Sequence, residues 1–167
     1  MRKIALPVLA LIFLSSCYSY RIFPKEYREF EYSGEKRQAY IVNPELKKEL
    51  AVFTASGIFR LTTDSTGNDI IKVRLLPMQK RMVCGDGAFV WVFLLGQLPL
   101  LYPDTYRYEF EETDGKETIK KSFALGLSQR VWFWDVFAFK KHFNQKAGKA
   151  LLGNYYKPEL SSIPKEW

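Results

Sequence analysis

Between residues 106 and 127 the chain alternates about a tight turn signal, and that pattern restricts the fold more than any other. Tyr106, Tyr108 and Phe110 alternate with Arg107, Glu109 and Glu111, and Thr113-Asp114-Gly115-Lys116 leads into a second extended run from Thr118 to Leu127. A period of two sends the rings to one face and the charges to the other. Asp-Gly supplies the unusual backbone torsions of a short hairpin loop. The reading is an antiparallel hairpin with one apolar face. Such a face is stable only against a second layer.

The rest of the chain provides candidates for that layer. Tyr27 to Tyr32 and Arg37 to Val42 are two extended runs about Ser33-Gly34, which predicts another β-hairpin. Asn43-Pro44-Glu45 offers an N-cap, a first-turn proline and an early acid, so a helix is expected over 44–55 with Leu46, Leu50, Val52 and Phe53 inward. Ser56-Gly57 should stop it. Ile58 to Thr62 and Ile70 to Leu76 then read as partner strands across the turn 64–68. The segment from Pro44 to Leu76 resembles the α/β periplasmic modules of lipoproteins related to the curli secretion factor and the amino-terminal domain of the TolB family. The expected class is α/β in the α+β sense. It is a single domain with a mainly antiparallel sheet, one helix near 44–55 and an aromatic-rich C-terminal helix near 130–152.

Aromatic residues make up 16% of the chain and concentrate in two places. Residues 88–102 are apolar except for Gln97, and residues 131–143 carry Trp132, Phe133, Trp134, Phe137 and Phe139 with Asp135 among them, closing on Lys140-Lys141. Each is shorter than the roughly 20 residues of a spanning helix. Three readings stay open: a buried strand and helix of the core, elements lying at a membrane interface where Trp and Tyr rings are favoured, or a protein interface. Trp91, Trp132, Phe133, Trp134 and Phe137 are therefore the candidate membrane or partner contacts. Asp135 is expected to face water on the open side of its helix.

The amino terminus says where such a domain is sent. Met1-Arg2-Lys3 is a short positive segment, and Ile4 to Leu14 is an apolar run of signal-peptide length. Leu14-Ser15-Ser16-Cys17 resembles the bacterial lipobox. The resemblance implies cleavage between Ser16 and Cys17, with diacylglycerol on the Cys17 thiol and an N-acyl chain on its new amino group. Two or three chains anchor stably where one does not, since each buried methylene contributes about 0.8 kcal/mol. Tyr18 stands where an Asp would imply retention in the inner membrane, so the expected site is the outer membrane, facing the periplasm. The resulting division is a cleaved signal at 1–16, a lipidated tether at 17–26, the domain at 27–155 and a loose tail at 156–167.

Charge and residue types narrow the function. The chain has 25 Lys and Arg against 18 Asp and Glu, a formal +7 that falls by two when Arg2 and Lys3 leave with the signal. A mild positive balance suits a surface beside anionic head groups. Nucleic-acid binding is not expected, because the basic residues are scattered pairs among acids and the chain is exported. With Cys17 acylated, Cys84 has no intramolecular partner and reads as a small buried side chain. His142 is the one histidine, which excludes a histidine-rich metal site, and its neighbours suggest an exposed side chain. No nucleophile elbow, His-Glu-x-x-His helix or phosphate loop is present. Glu109 and Glu111 read as one solvated strand face. The expectation is a non-enzymatic structural or assembly component, without a cofactor beyond the acyl chains, that meets the membrane and an envelope protein or a second copy of itself. The alternative is a periplasmic module binding a lipid or other apolar ligand.

Overall fold

A computed structural model of the chain describes residues 18–67, 69–81, 100–131 and 142–160. Its spine is the expected hairpin, which is longer than the alternation suggested. Strand β6 (Leu100–Asp114) pairs with β7 (Glu117–Val131) in unbroken antiparallel register from Leu100↔Val131 to Asp114↔Glu117. The loop is Gly115-Lys116, and Gly115 has φ +63°, the sign that both primed hairpin turns require at that position.

The other strands flank this pair. On one side β1 (Tyr18–Phe23) runs antiparallel to β7, from Tyr18↔Val131 to Phe23↔Gly126. On the other side β4 (Ile71–Leu75) and β5 (Gln79–Arg81) lie end to end along β6. Beyond β4 come β2 (Gln38–Ile41) and β3 (Arg60–Thr62), both parallel pairings, giving the order β1-β7-β6-β4-β2-β3. The sheet is mainly antiparallel and the class is α+β. The strands near 58–62 and 70–76, expected to pair with each other, instead sit on opposite sides of β2. The helix between β2 and β3 makes this possible, because a parallel pair needs a long crossover.

That helix, α1 (Lys47–Ser56), starts three residues later than expected. Asn43 is not its cap. Its side chain grips the backbone of Leu75 instead, Nδ2 donating to the carbonyl and Oδ1 accepting from the amide, both at 2.8 Å. The stop falls as read: Gly57 is left-handed at φ +60° and its N–H donates to the Thr54 carbonyl. Val52 and Phe53 are buried, while Leu46 and Leu50 are half-buried against the same core.

The second helix, α2 (Phe143–Tyr156), differs from the expected 130–152 at both ends. Residues 130 and 131 remain in β7, which is held on both edges there by β1 and β6. At the other end Gly153-Asn154 does not break the helix. Gly153 leaves room for the Tyr27 ring, and Asn154 turns its amide back to the Ala150 carbonyl at 2.9 Å. The helix takes in Tyr156, and a 3-10 turn, Pro158–Leu160, follows where a loose tail was expected. Residues 132–141, the aromatic start of the expected helix, lie outside the described residues, as does 82–99.

Two further expectations change at the amino-terminal side. The hairpin at 27–42 is absent: Lys25–Arg28 is a 3-10 turn, and only 38–41 is strand. Tyr27 is the reason. It is fully buried under α2 and its hydroxyl donates to the Lys157 carbonyl at 2.8 Å, so a long-range contact overrides the local alternation. The tether expected at 17–26 is likewise displaced by ordered chain, since β1 begins at Tyr18.

Both helices cover one face of the sheet. α2 packs along α1 and across β1 and β7. Phe53 meets Phe59 and Phe110, Phe110 meets Phe123, and Tyr155 touches both Phe59 and Phe123, with centroids 5.3–6.0 Å apart. Ile22, Ile71, Val73, Leu75, Leu125, Leu127 and Leu151 complete the core.

Candidate functional site

The sheet register brings three chain segments to one end of the molecule. Tyr18 of β1 pairs with Val131 of β7, and Val131 pairs with Leu100 of β6. These three residues form the last row of the sheet. Neighbouring strands lie about 4.8 Å apart, so the row is roughly 10 Å wide. Cys17 precedes Tyr18, the segment 82–99 enters β6 at Leu100, and the segment 132–141 leaves β7 at Val131. The same segments begin and end nearby: Arg81 is opposite Thr105, and Phe143 stands with its ring 5.2 Å from those of Tyr20 and Tyr106. Ser16, Cys17, Trp91, Trp132, Phe133, Trp134 and Phe137 themselves lie outside the described residues, as do Cys84 and Asp135. What the described residues fix is the attachment points: each segment has one in the last row and the other farther in, near Thr105 and Tyr106, all within the half of the hairpin that ends at Leu100 and Val131.

Just inside that end sits a buried ion pair. Asp104, with its side chain 7% exposed, receives Lys80 Nζ at 2.9 Å and the Tyr106 hydroxyl at 3.4 Å. Burial, the largest influence, works against the Lys80 charge, but the bonds to and charges of Asp104 and Tyr106 together outweigh it and the ammonium titrates above its ordinary value. Burial, reinforced by the Asp104 charge, pushes the Tyr106 hydroxyl up to about 12. Lys80 also lies 5.6 Å over the Tyr106 ring. These groups pin β5, β6 and the start of α2 together beneath the row where the chain enters.

Farther along the hairpin the carboxylates are pinned as well. Glu109 is not on a freely solvated face: it is 9% exposed, with Lys120 Nζ 3.1 Å from Oε2 and Arg107 Nε 3.0 Å from Oε1. The Arg107 N–H is directed to Ser122 Oγ, leaving Oε1 a charge contact without a hydrogen bond among the described residues. Burial raises the Glu109 carboxyl, but the Lys120 and Ser122 bonds prevail and hold it below the usual range. It is an anion and an acceptor at neutral pH, unsuited to donating a proton. On the helix side Glu112 accepts from Tyr155 Oη at 3.1 Å and stands 3.3 Å from Lys121 Nζ. Burial, with the Glu112 charge next, moves the Tyr155 hydroxyl upward.

At the opposite end an open cleft of about 1220 Å³ lies among Lys36, Arg37, Arg60, Asp64, Asp69 and Asp114. Arg37 and Asp114 form an exposed ion pair across it. From Leu100 to Asp114 the strand rise gives a separation of roughly 46 Å between this cleft and the entry row. His142, exposed as expected, stands just before α2. Among the described residues no group of three His, Cys, Asp or Glu is placed to hold a metal ion. No helix among them is long and apolar enough to cross a membrane.

Lys80 and Asp104, and Glu112 and Tyr155, went unremarked in the sequence. Asp104 follows Pro103 at the end of an apolar run and reads as a simple terminator, and Glu112 and Tyr155 are 43 positions apart. No local pattern couples such residues.

No family model matches the chain, and no curated protein matches it. Among solved structures it is similar to a minor lipoprotein from Acinetobacter baumannii, at 17% identity over 75% of this chain and 91% of that one, with a TM-score of 0.34.

Proposed function

We propose that this protein is a lipid-anchored component of the bacterial envelope, acylated at Cys17, that acts without catalysis as a structural or assembly element at the periplasmic face of the outer membrane. The lipobox-like Leu14-Ser15-Ser16-Cys17 supports the anchor. The observation that carries the reading is the missing spacer. Consecutive Cα atoms are 3.8 Å apart, and Tyr18 is already paired in the sheet. Acyl chains on Cys17 therefore hold the entry row against the bilayer with no slack. The aromatic segments 82–99 and 132–141 attach at that same end, which favours the membrane reading of their Trp and Phe residues over a core reading. A site for an apolar ligand has less support, since the cleft formed by the described residues is lined with charge.

Two measurements test this. Wild-type protein should take up radioactive palmitate and float with membranes, and Cys17→Ala should do neither; label retained in the variant would overturn the anchor. In reconstituted vesicles, brominated acyl chains should quench the tryptophan emission of the acylated protein. Unquenched emission from protein that floats would return both segments to the core or to a protein interface.

A further inference from the structure

We infer that the helix-free face of the sheet, along β4 and the neighbouring part of the hairpin, binds a carboxylate-bearing glycan strand of the cell wall. The wall as the source of that glycan rests on the periplasmic location proposed above. The helices pack on the other face: Phe110 meets Phe53 of α1, the Tyr108 hydroxyl donates to the Glu49 carbonyl, and Val73 and Leu75 lie in the same core. Alternation turns Lys72 and Arg74 of β4 the opposite way. The register sets Thr113 and then Thr118 beside Lys72, and Glu111 and then Lys120 beside Arg74. On the outer side of β4, Tyr40 of β2 stands next to Lys72. No described helix or strand lies over these residues. Lys72, Arg74, Thr118 and Lys120 are exposed, and Tyr40, Glu111 and Thr113 are half-buried.

This face holds cations that nothing described neutralises. Lys120 already serves Glu109, but Lys72 and Arg74 take part in no ion pair among the described residues. Two residues apart on one strand, they are separated by about 6.8 Å, and two strand spacings put Lys120 about 10 Å from Arg74. A ligand laid across β4, β6 and β7 therefore meets all three within roughly 12 Å.

Glu111 decides the chemistry of that ligand. It lies in one cross-strand row between Arg74 and Lys120. A chain of carboxylates alone, such as an acidic peptide, would set like charge against it. A glycan that carries carboxylates presents both kinds of group. Its carboxylates accept charge-assisted hydrogen bonds from Lys72 and Arg74, and its hydroxyls donate to Glu111. The Thr113 and Thr118 hydroxyls, 3.0 Å apart, use one contact on each other and keep further capacity for sugar hydroxyls. Beside Lys72 the Tyr40 ring offers an apolar surface with a polar tip to the C–H side of a sugar. Phosphorylated sugars of an outer leaflet would suit the cations too, but they lie across the membrane from a periplasmic domain.

The test sediments the full acylated chain, in detergent micelles, with purified peptidoglycan sacculi and reads Kd from the bound fraction. Wild type should bind. Lys72→Gln with Arg74→Gln should weaken binding about tenfold or more, Lys72→Gln alone by an intermediate factor, and about 0.5 M salt should weaken it as well. Lys47→Gln with Lys48→Gln, the same loss of charge at exposed positions of α1, should leave Kd within about twofold. Glu111→Ala separates recognition from bulk charge: a glycan hydroxyl bonded to Glu111 makes the variant bind several-fold more weakly. Tighter binding by that variant, with its acid removed, would overturn the glycan. So would the absence of binding to sacculi, or competition by polyglutamate or lipopolysaccharide stronger than that by soluble wall fragments. Each variant is compared at wild-type circular dichroism. Palmitate labelling at Cys17 decides the anchor separately, so either reading can fail without the other.

Discussion

Replacing Gly148 by alanine puts a methyl group where α2 crosses α1. Built on the backbone, that carbon would lie 2.6 Å from the Ala55 carbonyl carbon, 2.7 Å from the Ser56 amide nitrogen and 2.9 Å from Ala55 Cβ, against ordinary contacts of 3.4–4 Å. Two of the three are backbone atoms, which cannot rotate away, so the helices must part by about 1 Å. Overpacking of this kind costs up to about 3 kcal/mol. It is opposed by about 1 kcal/mol gained when a glycine in a helix interior becomes alanine. The net is a loss of up to about 2 kcal/mol, or a fall in Tm of up to about 4–8 °C for a chain of this size. Thermal and urea unfolding followed by circular dichroism would measure it, with an unchanged m-value showing that only stability moved. The sign is decisive. Were the helices not in close contact at Gly148, the propensity gain alone would operate and Gly148→Ala would raise Tm.

Gly153 offers a parallel case, because its methyl would meet the Tyr27 ring at 2.4 Å. Gly153→Ala and Tyr27→Leu should each destabilise but be far from additive together, and an additive double-mutant cycle would refute the contact. Asn43→Ala should cost about 1–3 kcal/mol in urea unfolding, since it strips both hydrogen bonds from the Leu75 backbone. A loss under about 0.5 kcal/mol would show the clamp to be incidental. Glu109 titrates below its ordinary 4.5 in the folded state, so its contribution is present above that value and is lost as pH falls through the folded pKa. Glu109→Gln should therefore flatten part of the acid limb of the stability profile, and a profile of unchanged shape would contradict the Lys120 pairing. Tyr27 and Tyr106, both pushed up to about 12 chiefly by burial, give stability that is whole below pH 10 and declines as pH rises through 12. Their ionisation, read as ultraviolet absorbance, should track alkaline unfolding rather than precede it.

The hairpin was legible because its evidence is local: alternation of rings and charges, and an Asp-Gly turn, need no partner to be recognised. The stop at Gly57 was legible for the same reason. Where the reading failed, a distant residue had claimed the local signal. Asn43 has the composition of a helix cap, but its amide serves Leu75. Tyr27 to Tyr32 has the alternation of a strand, but Tyr27 is drawn beneath α2 by the slot at Gly153 and the carbonyl of Lys157. The extension of β7 to Val131 depends on β1 pairing along its outer edge, and nothing in residues 18–23 alone says whether they are tether or strand. The proposed anchor at Cys17 is read from four residues, but the direction in which it would hold the domain is not. Direction requires the register of three strands.

That register also explains why the hairpin is so long. A strand of 15 residues is well above the usual five or six, and neither β4 nor β5 covers more than part of β6. Of the described elements only β6 and β7 run from the row beside Cys17 to the cleft at Asp114, roughly 46 Å away. Strands β1, β4 and β5 and both helices brace some stretch of that pair, while β2 and β3 lie beyond β4. Ion pairs are spaced along it, at Asp104 with Lys80, Glu109 with Lys120, and Glu112 with Lys121. The first joins β5 to β6, and the other two cross between β6 and β7. A hairpin held along its length in this way resists bending better than two free strands. The mixed-charge surface at its tip is thus carried at a set distance from the row of Tyr18, Leu100 and Val131.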